Sequence, residues 1–252
     1  MAAQHRLQRL ASPSPSFSLL LHLAGIASFI YSFYFLTIWE TPFDEAYGWH
    51  FQFLTIIGLA VSLLCFLSGA VADVTGSAVL FDLKNALAVL ATPLEVVISL
   101  LYWGISAVDP ELLFVGELTL PLTADVGFHL APAVFLTLDL VLLSPPWTVP
   151  AYGVMSLSTV FAFGYWYWVE LCFSKNGWCV YNYPLLAVLV LIRRGYPYPL
   201  FGLLSTAQRI LLFVTSAALV TVSSGALKWV YGNFNGYENA RREPHKPMKK
   251  VQ

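Results

Sequence analysis

The chain has 252 residues, of which 58% are hydrophobic and only 11% charged. Soluble domains average roughly 25% charged residues, so a water-soluble globular protein is excluded and a bilayer is the solvent this composition needs. Thirteen Lys+Arg against 14 Asp+Glu leave a net charge of -1, which gives no reason to expect a nucleic-acid partner.

A hydrocarbon core of about 30 Å is crossed by a helix of about 20 apolar residues. Residues 1–16 precede the first such stretch, and their Ser12-Pro-Ser-Pro-Ser16 run reads as a disordered spacer. The first span is expected over Phe17–Ile38, with His22 as its one ionisable group. It is too long for the apolar part of a signal peptide and no small-residue cleavage site follows, so it is a retained helix. The second span, Phe51–Val71, is uncharged, and the third, Asn85–Val108, contains Glu95. The fourth, Val126–Leu143, carries His129 and Asp139. The fifth covers Ala151–Leu171 with Glu170 at its end, and the sixth covers Thr206–Val230. These apolar runs are continuous rather than alternating, which excludes a membrane barrel. The expected fold is all-α: a polytopic six-transmembrane-helix bundle over residues 17–230, followed by a basic tail over 231–252.

Between the fifth and sixth helices, Tyr183–Ile192 is apolar, but a ten-residue helix rises only about 15 Å. It suits a re-entrant or interfacial segment. Arg193 and Arg194 after it run against the charge rule. Were Trp178–Ile192 a tilted seventh span, the tail would change sides; six spans are the preferred reading.

Orientation follows Lys and Arg. Arg6 and Arg9 precede the first span, and Arg241, Arg242, Lys246, Lys249 and Lys250 lie in the tail. The first connection holds Glu40, Asp44 and Glu45, and the third holds Asp109, Glu111, Glu117 and Asp125. Both termini are therefore expected in the cytosol. The terminal Lys249-Lys250-Val251-Gln252 resembles the dilysine signal that returns membrane proteins to the endoplasmic reticulum, a receptor-read address. The alternative is a basic tail drawn to anionic lipids. Trp39, Trp49 and the Tyr165-Trp-Tyr-Trp168 cluster read as interfacial anchors, with a ligand box as the other reading of the cluster. Among the three cysteines, Cys172 and Cys179 are left open between a bridge in an oxidising lumen and free thiols.

No G-x-S-x-G elbow, H-E-x-x-H or phosphate-binding glycine loop is present. The remaining candidates are polar groups inside spans, which are expensive and therefore functional by default. Thr55 lies about four residues into the second helix and His129 about three into the fourth, both counted from acidic connections. At 1.5 Å per residue each sits roughly 5–8 Å below the same interface. A hydroxyl and an imidazole at equal depth are the minimum for a base-activated nucleophile. The competing readings are a threonine bonded to its own helix carbonyl and a histidine in an interhelical hydrogen bond. Spacing alone does not choose between them.

The segment Gly48-Trp-His-Phe-Gln-Phe-Leu-Thr55-Ile-Ile resembles a G-x-x-x-x-[FY]-L-T-[FI]-[IL] stretch of the androgen-induced family of small six-span membrane proteins. Gly127-Phe-His129, followed ten residues later by Asp139, is similar to that family's G-[MF]-H and its downstream acid. Gly177-Trp178 with Tyr183-Pro184 is a looser match, because extra residues interrupt the family's W-x-Y-P. The resemblance covers roughly residues 17–230. It implies a threonine hydrolase that cleaves esters between a fatty acid and a hydroxy fatty acid, with Thr55 as nucleophile and His129 as base. No cofactor or metal is implied. The substrate is expected to enter laterally from the bilayer, and nothing in the sequence sets an oligomeric state.

Trp178 and Tyr183 are secondary substrate-binding or structural candidates, as are His50, Glu95 and Asp139. Ten residues of helix put Asp139 about 15 Å from His129 and about 80° off its face, so it is no simple triad member. It is expected to pair with another polar group of the bundle, and Glu95 likewise. His50 lies near the site and could replace His129 as base. Mid-helix N–H groups are already bonded, so oxyanion donors are expected from a side chain or the loop near Tyr183. The rivals from other classes are a transporter or channel using Glu95, Asp139 and His22 as a polar pathway, and a non-catalytic membrane scaffold.

Overall fold

In lipid, backbone N–H and C=O groups find no water, so long apolar runs must satisfy them internally as helices. A computed structural model of the chain describes residues 4–41, 43–113, 120–176 and 196–236. The helices are α1 (Phe17–Ile38), α2 (Leu54–Thr75), α3 (Ala78–Val108), α4 (Leu122–His129), α5 (Ala131–Leu143), α6 (Ala151–Asn176), α7 (Pro199–Leu203) and α8 (Thr206–Asn235), with 3-10 turns at Trp49–Gln52 and Pro110–Leu112. No strand occurs among the described residues. The chain is a polytopic all-α membrane protein.

Four helices, α1, α2, α3 and α8, are long and apolar enough to cross a membrane, and the bent pair α4–α5 makes a fifth crossing if counted as one span. The 26 residues of α6 would reach across. Its Tyr165-Trp-Tyr-Trp168 run and Glu170 keep it outside that set. The re-entrant segment expected at Tyr183–Ile192 lies outside the described residues, as do Trp178, Arg193, Arg194, the dilysine ending and most of the basic tail.

Several boundaries differ from expectation for physical reasons. The second helix begins at Leu54, because Gly48 and Trp49 adopt left-handed backbone (φ 89° and 47°) and turn the chain into the 3-10 segment first. The third begins at Ala78, where the Ser77 side chain accepts the Leu80 N–H as an N-cap. This start draws Lys84 into the bundle. The fourth span is broken at Leu130 by 43°. Pro132 has no N–H to continue the ladder, and its ring crowds the carbonyl four residues back, at Phe128. The last helix opens on a capping box between Ser205 and Gln208 and runs to Asn235, so residues 231–235, read as tail, are helical.

α2 packs between α1 and α3, α6 pairs with α8, and α8 also leans on α3. Residues 4–16, read as a disordered spacer, are held against one end of the bundle. Leu10 N–H donates to the Leu142 carbonyl (2.9 Å), and Ser14 N–H donates to Asp73 (2.8 Å). The start and end of the body meet there: the Tyr231 hydroxyl donates to the Leu7 carbonyl, and Arg9 to that of Phe234. We call this the basal end and the end bearing residues 39–53 the distal end.

Candidate active site

The distal connection is fixed from α6. The Tyr165 hydroxyl donates to the Gln52 carbonyl (2.8 Å) and the Trp168 indole N–H to that of Phe51 (2.9 Å). Asn176 accepts from Tyr47 N–H (2.7 Å) and donates to the Tyr47 carbonyl and the Gln52 side chain (both 3.1 Å). A Cβ on Gly48 would lie 2.7 Å from the Cys172 sulfur, so this approach needs glycine by contact as well as by φ. Cys172 is a buried free thiol, and Cys179 lies outside the described residues. Tyr165 and Trp168 are thus clamps on the connection, while Tyr167 is exposed.

This clamp sets Thr55 in the first turn of α2 rather than four residues in. Backbone N–H groups of a first turn have no intrahelical acceptor. Those of Leu54 and Thr55 are directed at the Tyr198 hydroxyl, which also faces the hydroxyls of Thr55 and Tyr165. The expectation for mid-helix N–H groups, already bonded within the helix, does not apply at Thr55, which lies in a first turn.

Thr55 lies in the shared wall of two cavities, together with Tyr102, Leu113 and Tyr198. One, of about 60 Å³, is aromatic, with Trp39, Phe43, His50, Phe53 and Phe128 around it. The other, of about 170 Å³, is aliphatic and lies between α3, α6 and α8, lined by Leu94, Val97, Ile98, Leu212 and Val220.

His129 ends α4 immediately before the Pro132 break. Its Nδ1 is 2.9 Å from an Asp125 carboxylate oxygen one helical turn earlier. Its ring stacks on Tyr102, with centroids 3.4 Å apart and planes 6° from parallel. The Tyr102 hydroxyl is also directed at Asp125. Tyr102 therefore stands between the imidazole and the cavities, and Thr55 and His129 make no direct hydrogen bond.

His50 faces the aromatic cavity itself, 1% exposed, with Nε2 3.0 Å from Asp44 and its ring lying parallel to those of Trp39 and Phe53. Burial holds the His50 pKa below its ordinary value, against the pull of Asp44. Asp44 sits lower than a usual carboxylate: burial opposes this, but the Thr41 N–H and His50 outweigh it.

Asp139 and Glu95 lie elsewhere. Asp139, at the basal end, accepts from Lys84 Nζ (2.9 and 3.1 Å) and Ser144 (2.9 Å) and faces His22 Nε2 at 3.1 Å. The other ring nitrogen of His22 is 2.6 Å from Asp73. Both nitrogens thus face carboxylates, so the ring serves best as a doubly protonated donor. Two carboxylates, one ammonium and one imidazolium then cancel. A Cβ on Gly69 would lie 2.5 Å from His22 Nε2, so α1 approaches α2 closely at this point. Glu95, 1% exposed, accepts from Ser62 (3.2 Å). Trp178 and Tyr183 lie outside the described residues. Asp73, Lys84, Asp125, Tyr102 and Tyr198 were not singled out from sequence. Of these, Asp125 was legible, since Asp-x-x-x-His on a helix places the two side chains on one face.

The candidate site of this membrane protein is thus a pair of largely apolar cavities with one hydroxyl, Thr55, in their common wall and carboxylate-held imidazoles beside them. The family model for FAR-17a/AIG1-like proteins matches residues 17–195, and the chain belongs to that family. A UPF0641 membrane protein of Schizosaccharomyces pombe is 34% identical over 198 residues, covering 77% of this chain and 88% of the relative. No solved structure matches. The family match ends before Tyr196, so Tyr198, α7 and α8 lie beyond it.

Proposed function

We propose that the protein is an intramembrane esterase acting on fatty acid esters of hydroxy fatty acids, with Thr55 as nucleophile and His129 as base. The observation that carries this reading is the place of Thr55 in the wall common to an aromatic and an aliphatic cavity. An ester group there would have room for hydrocarbon on both sides. Long chains exceed the combined cavity space, so they extend between helices into lipid, whose apolarity matches theirs.

Thr55 Oγ bonds to the ester carbonyl carbon while His129 takes its proton. Asp125 holds Nδ1 and stabilises the imidazolium. Because Tyr102 separates the pair, this transfer requires one bridging water or rotation of that ring. Collapse of the tetrahedral species breaks the bond to the alcohol oxygen, which leaves with the proton from His129. Water then adds to the acyl carbon, giving up a proton to His129; the bond from that carbon to Thr55 Oγ breaks, Oγ regains the proton from His129, and the fatty acid departs. The Leu54 and Thr55 N–H groups are the donors best placed for the developing oxyanion, once the Tyr198 hydroxyl yields that position to the carbonyl oxygen.

A second reading replaces His129 with His50, because His50 faces the cavity that contains Thr55. Purified protein treated with a fluorophosphonate probe and mapped by mass spectrometry tests the reaction class. Labelling is expected at Thr55, and Thr55→Ala is expected to lose both the label and at least about 10³-fold of ester turnover, with Thr55→Ser retaining part. Undiminished hydrolysis by Thr55→Ala would overturn the proposal. Loss of activity in His50→Gln with His129→Gln unaffected would select the second base.

A further inference from the structure

The basal end holds a third cavity, of about 370 Å³, which the proposed reaction does not use. Its walls come from the α5–α6 connection, through Pro146, Trp147 and Val149, and from α8, through Leu227, Lys228 and Tyr231. Lys228 is half-buried and donates to the Val149 carbonyl. Among the described residues no carboxylate pairs with it. A carbonyl dipole does not cancel a cation, and a cation drawn out of water without a counter-charge is costly. An ammonium has three N–H donors, so two remain beyond the one that Val149 takes.

Trp147 supplies a second, independent sign. Its ring lines the same cavity, and its indole N–H, buried behind that wall, has no hydrogen-bond partner. A cation and an unsatisfied donor on residues lining one cavity call for an anionic acceptor with several oxygens. Leu140, Pro146, Pro150 and Leu227 make part of the wall apolar, and Trp229 beside Lys228 is 71% exposed. Indoles in that position favour the boundary between headgroups and hydrocarbon. Arg9, on the Phe234 carbonyl, adds positive charge at this end.

We propose that this cavity binds the phosphate of an anionic lipid headgroup. Lys228 Nζ donates to its oxygens, a shift of the Trp147 ring brings Nε1 to them as well, and the glycerol and upper methylenes lie against Leu140, Pro150 and Leu227. The apolar part of the wall, together with the exposed Trp229, favours a lipid over free phosphate, which would leave that part bare. The site is independent of the esterase reading.

The test uses the full chain in nanodiscs of phosphatidylcholine alone or mixed with phosphatidylglycerol, with thermal melting and native mass spectrometry as readouts. Phosphatidylglycerol is expected to raise Tm and to stay bound. Lys228→Gln is expected to weaken its binding about fivefold, Trp147→Phe to weaken it less, and Lys228→Arg to keep it. Lys175→Gln, at the distal end, is expected to change nothing. Retention of the full gain by Lys228→Gln would overturn the site. An equal Tm rise from inorganic phosphate in phosphatidylcholine discs would overturn the lipid assignment in favour of a free-anion site. If Lys228→Gln does not fold, Trp147→Phe decides: undiminished binding there counts against the proposal.

Discussion

The two ends of this bundle treat buried polarity in opposite ways. At the basal end, His22, Asp73, Lys84 and Asp139 are wholly enclosed, their charges cancel, and the hydroxyls of Ser18 and Ser144 complete the network. At the distal end, Thr55, His50 and Tyr102 line cavities, His129 is held on one side by Asp125, and the Leu54 and Thr55 N–H groups that open α2 face tyrosine hydroxyl oxygen rather than a backbone carbonyl. Sealed, mutually satisfied polar groups specify packing. Polar groups beside empty space keep unused hydrogen-bonding capacity, which is what binding and proton transfer need.

The largest effect that would break this contrast is expected at Lys84. Lys84→Met strands the Asp139 carboxylate in the bundle and is expected to cost about 3–5 kcal/mol, read by denaturant unfolding in detergent. The double variant Lys84→Met with Asp139→Leu should recover most of the loss, since a paired apolar replacement leaves no stranded charge. Ester turnover per folded molecule should be unchanged in both. A selective loss of turnover would mean that the basal cluster takes part in chemistry.

A smaller effect sharpens the distal side. His50 has a folded pKa below its ordinary value of about 6.5, so the folded state binds fewer protons than the unfolded chain near and below that pH. Its contribution to stability is therefore present above the unfolded pKa and lost as pH falls through the folded one. Melting temperature should decline less steeply between about pH 7 and 5 in His50→Gln than in the native chain. Parallel declines would show that protonation of His50 is not resisted.

The smallest expected effect is at the clamp. Tyr165→Phe removes the hydrogen bond to the Gln52 carbonyl and should cost about 1 kcal/mol. Its telling readout is proteolysis within residues 41–53, which should quicken while the basal end stays resistant. Equal protection at both ends would place the distal connection among the rigid parts of the molecule.

Much of the fold was legible because lipid leaves the backbone little choice: α1 and α8 begin where the apolar runs do. What escaped depends on single residues. The break after His129 was written in Pro132, yet hydropathy averages over it. The start of α3 was misplaced because Asp82, Lys84 and Asn85 look like a connection until the partners of Lys84 across the bundle, Asp139 and Ser144, are known. Thr55 and His129 could be placed at similar depth by counting, but Tyr102, forty-seven residues from Thr55 in sequence and stacked on His129, could not. Such an insertion between two sites is a property of three helices packed together, and no single helix carries its signature.

The sealed basal cluster also bears on the order in which the chain is made. Asp139 meets His22 and Lys84, and Glu95 meets Ser62. In each case these partners lie earlier in the sequence. Synthesis runs from the amino terminus, so when α5 leaves the ribosome the groups that will neutralise its carboxylate already stand in the membrane. An unpaired acid at that depth is expensive, and the bent α4–α5 unit, split by proline, is a poor candidate for insertion by itself. The early helices thus form a receptor into which the later one is delivered, and moving Lys84 downstream of Asp139 by permuting the helices would leave that acid to enter lipid without its ammonium partner.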